Sequence, residues 1–137
     1  MLTINDENMK KYLTVKQTHR YTNEKNLMFQ GHANYEQKAY GLCISYKEDE
    51  QTSVTVMIQD DEISIKREGE FITSLMFRNL EKTQGSVLSE FGTIDLEIYT
   101  HKYIRKENIV ALEYDILSGG NVTDGYRILW ITKEDQA

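Results

Sequence analysis

Apolar and polar residues alternate with a period of two along most of this chain. Leu13, Val15 and Tyr21 open the pattern; Leu27, Phe29, Ala33 and Tyr35 continue it, followed by Tyr40, Leu42, Ile44 and Tyr46. The same beat runs through Val54, Val56 and Ile58, through Ile63 and Ile65, and through Leu75 and Phe77. It resumes in Ile94, Leu96 and Ile98, then in Val110, Leu112, Tyr114 and Ile116, and finally in Tyr126, Ile128 and Trp130. Such alternation predicts strands with one face turned to a core, and the β-branched and aromatic residues that fill the runs agree. Short turn signals separate them, among them Asn23-Glu24-Lys25-Asn26, Lys47-Glu48-Asp49-Glu50, Asp60-Asp61, Glu68-Gly69-Glu70 and Gly119-Gly120. Loops this short join antiparallel neighbours, because a parallel crossover needs a dozen residues or more.

The pattern predicts an all-β fold of roughly nine to ten strands. A long meander curls under strand twist, and closing it removes exposed edges, so a single antiparallel up-and-down β-barrel of calycin or lipocalin type is expected. A two-sheet sandwich is the competing arrangement. One domain spans residues 1–137, with 1–10 read as a flexible or briefly helical N-terminus; residues 80–90 are the least regular stretch. Within 92–117, pairing Glu97 with Asp115 would oppose like charges. A slip of two residues leaves Lys106-Glu107-Asn108 as the loop and sets His101 opposite Glu113 and Thr100 opposite Tyr114.

Composition narrows the function. With 16 Lys and Arg against 22 Asp and Glu, the net charge is -6, a field that repels a nucleic-acid backbone. No nucleic-acid partner is expected. Cys43 is the only cysteine, so no disulfide forms within the chain; with no signal-peptide pattern at the start, a cytoplasmic protein is expected. No stretch has the roughly 20 apolar residues of a membrane-spanning helix. Cys43 itself reads as a small core residue.

Taken as an ordered set, Ile63-Ser64-Ile65-Lys66-Arg67-Glu68-Gly69, Met76-Phe77, Phe91-Gly92-Thr93-Ile94-Asp95-Leu96 with Thr100, and Glu113-Tyr114-Asp115 resemble the YwiB-like family. The resemblance runs from about residue 11 to residue 132. These are small bacterial proteins, and the resemblance implies a calycin-like β-barrel. It brings no substrate with it.

The residue richest in chemical meaning is Arg67, which shares a strand face with Ile63 and Ile65. An inward guanidinium must be paired, since burying it unsatisfied costs several kcal/mol. Either the strand ends there and the side chain leaves the core, or Arg67 anchors a carboxylate or phosphate at a barrel mouth. Gln17, Tyr46, Thr100, Tyr114 and Tyr126 fall on inner faces and would suit a ligand pocket, or simply fill a small barrel. His19, His32 and His101 do not make a zinc set; His19 would face His32 if Lys25-Asn26 were a two-residue turn. Asp95, Glu97, Glu113 and Asp115 read as a solvated strand surface, and the acidic runs beginning at Glu48 and Asp60 as solubilising loops. No catalytic constellation, metal site or cofactor motif emerges. The expected function is a non-enzymatic binding module for a small amphiphilic or anionic ligand. The alternative is a filled barrel acting as a protein-interaction or structural module, in which an exposed strand edge pairs with another chain, a second copy of this one included.

Overall fold

In the computed structural model, which describes residues 7–134, ten strands form a closed antiparallel barrel. They are β1 (Glu7–His19), β2 (Lys25–Lys38), β3 (Gly41–Lys47), β4 (Ser53–Ile58), β5 (Glu62–Glu68), β6 (Ile72–Arg78), β7 (Lys82–Ser89), β8 (Gly92–Lys106), β9 (Ile109–Ser118) and β10 (Asn121–Lys133). Each strand pairs with its neighbours in sequence, and β1 closes the ring by pairing with β10. The meander therefore solves its edge problem by closure.

All turns that follow odd-numbered strands lie at one end, the upper mouth; those that follow even-numbered strands lie at the lower end. The inner wall is where alternation puts it. Leu13, Ile44, Val56, Ile58, Ile63, Phe77, Ile98, Leu112 and Trp130 are all buried. At the lower end the Tyr103 hydroxyl donates to the Gln59 carbonyl at 2.6 Å, and the Tyr35 and Thr132 hydroxyls meet at 2.6 Å.

Some local expectations hold and others are overturned. The chain over Glu7–His19 is a strand and not a helical turn; residues 1–6 lie outside the described residues. Residues 82–89 form a full strand, made regular by the ladders that β6 and β8 supply on either side. Thr100 does pair with Tyr114, but Lys102 and not His101 faces Glu113. A β-bulge between Thr100 and Lys102 takes up the difference, and the loop beyond shortens to Glu107-Asn108. Glu97 sits opposite Leu117, so the feared pairing with Asp115 is avoided. His19 and His32 are not neighbours: the turn after β1 begins at Arg20, Tyr12 faces His32, and His19 faces Tyr126. Cys43 lies between Glu36 and Met57 on the outer wall and is only half-buried. It follows the opposite parity from Ile44, so it never had a place in the core.

Candidate functional site

Inside the upper mouth lies a cavity of about 130 Å³. Its apolar wall is built from Val15, Met28, Val54, Ile65, Leu75, Ile128 and Trp130; Gln17, Tyr46, Glu48, Arg67, Thr73 and Tyr114 supply polar groups. Every one of these on a strand follows the inward parity of its strand, except Met28, the extra residue of a bulge between β1 and β2. The volume matters. Roughly four waters would fill it, and a cavity of about 150 Å³ takes one benzene.

An ion pair borders the mouth. Arg67 Nη2 lies 2.5 Å from Glu48 Oε1; the Arg67 side chain is 48% exposed and that of Glu48 only 11%. The Arg67 side chain leaves the core, as one of its two readings expected, and borders the cavity. Glu48 is not a solubilising loop residue. Its parity continues that of Ile44 and Tyr46 past the strand end, which is the signal that would have found it. Burial pushes its carboxyl above the usual range, against the pull of Arg67. The buried Oε1 makes this ion contact and has no hydrogen-bond partner among the described residues.

Of the six residues singled out from the sequence, Gln17, Tyr46, Arg67 and Tyr114 meet at this cavity. Burial pushes the Tyr46 phenol up to about 12, while its oxygen accepts from Trp130 Nε1 at 3.3 Å. Burial also raises Tyr114. Tyr126 packs on Tyr114 with ring centroids 5.8 Å apart, but its hydroxyl turns away to donate to Asp124 at 2.8 Å. Thr100 lies deeper, fully buried, beside the turn where Leu80 N–H donates to its carbonyl at 2.8 Å. Its hydroxyl has no hydrogen-bond partner among the described residues.

A second polar cluster lies outside the barrel wall. Asp115, expected on a solvated surface, is only 5% exposed. The turn after β1 folds over it: Arg20 donates at 2.5 Å, the Tyr21 hydroxyl at 2.8 Å, and His101 from the bulge at 2.6 Å. Burial alone would raise this carboxyl, but the three donors outweigh it and hold it below the usual carboxylate range. Beside it Glu113 is bracketed by Arg127 at 3.2 Å, Lys102 at 3.5 Å and Arg20 at 3.9 Å. Gly125 faces Asp115 across β9 and β10, and a side chain there would overlap the Asp115 carboxylate. Nearby, His19 bonds Asp124 in an arrangement that resembles an acid–base dyad. Its other nitrogen, however, already accepts from the backbone N–H groups of Tyr21 and Thr22 at 3.3 and 3.2 Å. With that nitrogen occupied, His19 has no free lone pair to act as a base. Both clusters hold the β1–β2 turn against the barrel.

Among the described residues there is no group of three or more His, Cys, Asp and Glu side chains arranged to hold a metal ion, and no helix long and apolar enough to cross a membrane.

Residues 13–129 match the family described as Domain of unknown function (DUF1934). The chain belongs to the DUF1934 family. Its structure is similar to the crystal structure of the YwiB protein from Bacillus subtilis, with a TM-score of 0.77 and 16% identity over 96% of each chain. At that identity the likeness establishes the shared fold, and it agrees with the YwiB-like resemblance read from the motifs. No curated protein matches the sequence.

Proposed function

We propose that this DUF1934 protein is a non-enzymatic binding module whose upper-mouth cavity takes a small amphiphile. The observation that carries this reading is the joining of an apolar chamber of about 130 Å³ to a half-exposed Arg67–Glu48 pair. Such pockets bind by burying an apolar body and fixing a few polar atoms. The volume limits the apolar body to about six carbons. The head group meets a guanidinium that donates and a buried carboxylate oxygen that accepts. A head with both an acceptor and a donor, such as a primary amide, satisfies both; a plain anion meets Arg67 but is repelled by Glu48.

Calorimetric titration with hexanamide, hexanoate and hexylamine tests this. At pH 7 the wild type should prefer hexanamide. Glu48→Gln, which releases Arg67, should shift the preference toward hexanoate by about tenfold or more, and Arg67→Gln should weaken both. Equal binding of all three probes, or binding indifferent to Arg67→Gln and Glu48→Gln, would refute the reading. One domain over residues 1–137 is part of the same proposal, and a single cooperative unfolding transition is its check.

A further inference from the structure

We propose that a second copy of this chain pairs with the free edge of β8, antiparallel and two-fold symmetric, in a register centred on Ile94. The barrel is closed along most of its height, but β8 outruns β9. Their ladder ends at Glu97 opposite Leu117, so residues 92–96 are paired on one side only, with β7, among the described residues. Residues 92–95 are all exposed; Ile94 is 63% exposed, and Phe91 at the hairpin tip is 91% exposed. An uncovered edge with apolar side chains is a template for another strand.

Hydrogen-bond phase decides which registers the edge allows. The hairpin closes at Ser89 opposite Gly92 across a two-residue turn, so the even residues 92, 94 and 96 bond toward β7. Counting from the other side, the Lys106–Ile109 closing pair and the bulge at His101 give the odd residues 97 and 99 to β9. The two counts agree. Thr93 and Asp95 therefore aim their backbone N–H and C=O groups at the vacant side. An antiparallel register centred on Ile94 sets Thr93 against Asp95 of the second copy, twice, in bonded pairs. A centre on Asp95 would oppose two carboxylates, and a shift by one residue would put bonding groups against non-bonding ones.

The Ile94 register also suits the charges. Asp95 meets Thr93, Glu97 comes level with Phe91, and no acid opposes an acid. Ile94 faces its own copy at a non-bonded position, where Cα atoms approach to about 4.5 Å. In a chain of net charge -6 this matters, and association should strengthen as salt screens the remaining repulsion.

Light scattering on the full chain, at rising concentration and in salt, reads the assembly. Thr93→Pro deletes one N–H on the vacant side and none on the β7 side, so it should raise the dimer dissociation constant at least about tenfold while the thermal midpoint of the monomer holds. In a Cys43→Ser background, Ile94→Cys should form an interchain disulfide under mild oxidation, and Thr93→Cys should do so far more slowly, since its opposite number is Asp95. A wild type that stays monomeric at millimolar concentration overturns the proposal. So does a dimer indifferent to Thr93→Pro, or equal cross-linking at positions 93 and 94.

Discussion

A single methyl group added at Gly125 should loosen the strap that holds the β1–β2 turn. The backbone there is not strained, so the whole effect comes from contacts. A Cβ at 125 would overlap the Asp115 carboxylate and come within 2.7 Å of the Tyr21 ring. Tyr21 is 55% exposed and can swing outward; Asp115 is 5% exposed and cannot move without giving up Arg20, Tyr21 and His101. Overpacking costs about 1–3 kcal/mol, and a weakened hydrogen bond to a charged acceptor about 1.5–3, so Gly125→Ala should destabilise by about 3 kcal/mol. Asp115→Ala removes the acceptor itself. Breaking a buried pair costs about 3–5 kcal/mol, but Arg20 is near enough to water to rehydrate, so about 2–3 kcal/mol is expected. In the double variant the carboxylate is gone and the methyl group has room. Its cost should therefore fall short of the sum by about 2 kcal/mol. Urea unfolding of the wild type and the three variants measures this directly. Strictly additive costs, or a Gly125→Ala protein within about 0.5 kcal/mol of wild type, would show that Gly125 is not reserved for Asp115.

Three further outcomes follow from the same geometry. Phe77 is wholly buried against Tyr114, so Phe77→Ala should cost about 3–5 kcal/mol in urea unfolding, with no effect on any surface property. Stability should fall in acid. Asp115, Glu113 and Asp124 all have depressed carboxyls when folded, so their contribution is whole above the unfolded carboxylate values near 4 and is lost as pH drops through the folded ones. Glu48, raised when folded, acts with the opposite sign, and Asp115→Asn should flatten the slope of urea midpoints between pH 5 and 3. Burial pushes the Cys43 thiol up, so a thiol-reactive dye should label the native protein slowly and the urea-unfolded protein fast; fast native labelling would contradict the half-buried position.

The barrel was legible because period-two alternation maps directly onto two walls. Leu112 and Ile128 are buried as their parity requires, and Ile65 packs against the core from the rim. Residues that alternation misplaced sit where its premise fails. His101 is the extra residue of a bulge, which shifts the register by one and hands it to Asp115 instead of Glu113. Asp115 is on the outer wall, as its parity says, yet buried, because a turn from a distant part of the chain covers it; no local pattern reports that. Strand β7 was obscured by Gln84-Gly85-Ser86, which has little intrinsic strand preference. Gly85 is small for a tertiary reason: a Cβ there would meet the Leu75 side chain at 2.7 Å. Arg67 could be placed at a barrel mouth from its strand, but its partner Glu48 sits in an acidic run that looks like any solvated loop. Only carrying the inward parity of Tyr46 two residues further would have separated it from Asp49.

Trp130 is the only tryptophan in the chain and forms part of the cavity wall, so its emission reports directly on whether that space is used. Titrating hexanamide into the wild type should change Trp130 emission saturably, and Ile65→Phe, which places a ring in the same space, should abolish the response while leaving the fold intact. An emission spectrum that does not change up to the solubility limit of the probe, or an identical response in Ile65→Phe, would contradict a ligand chamber at the upper mouth.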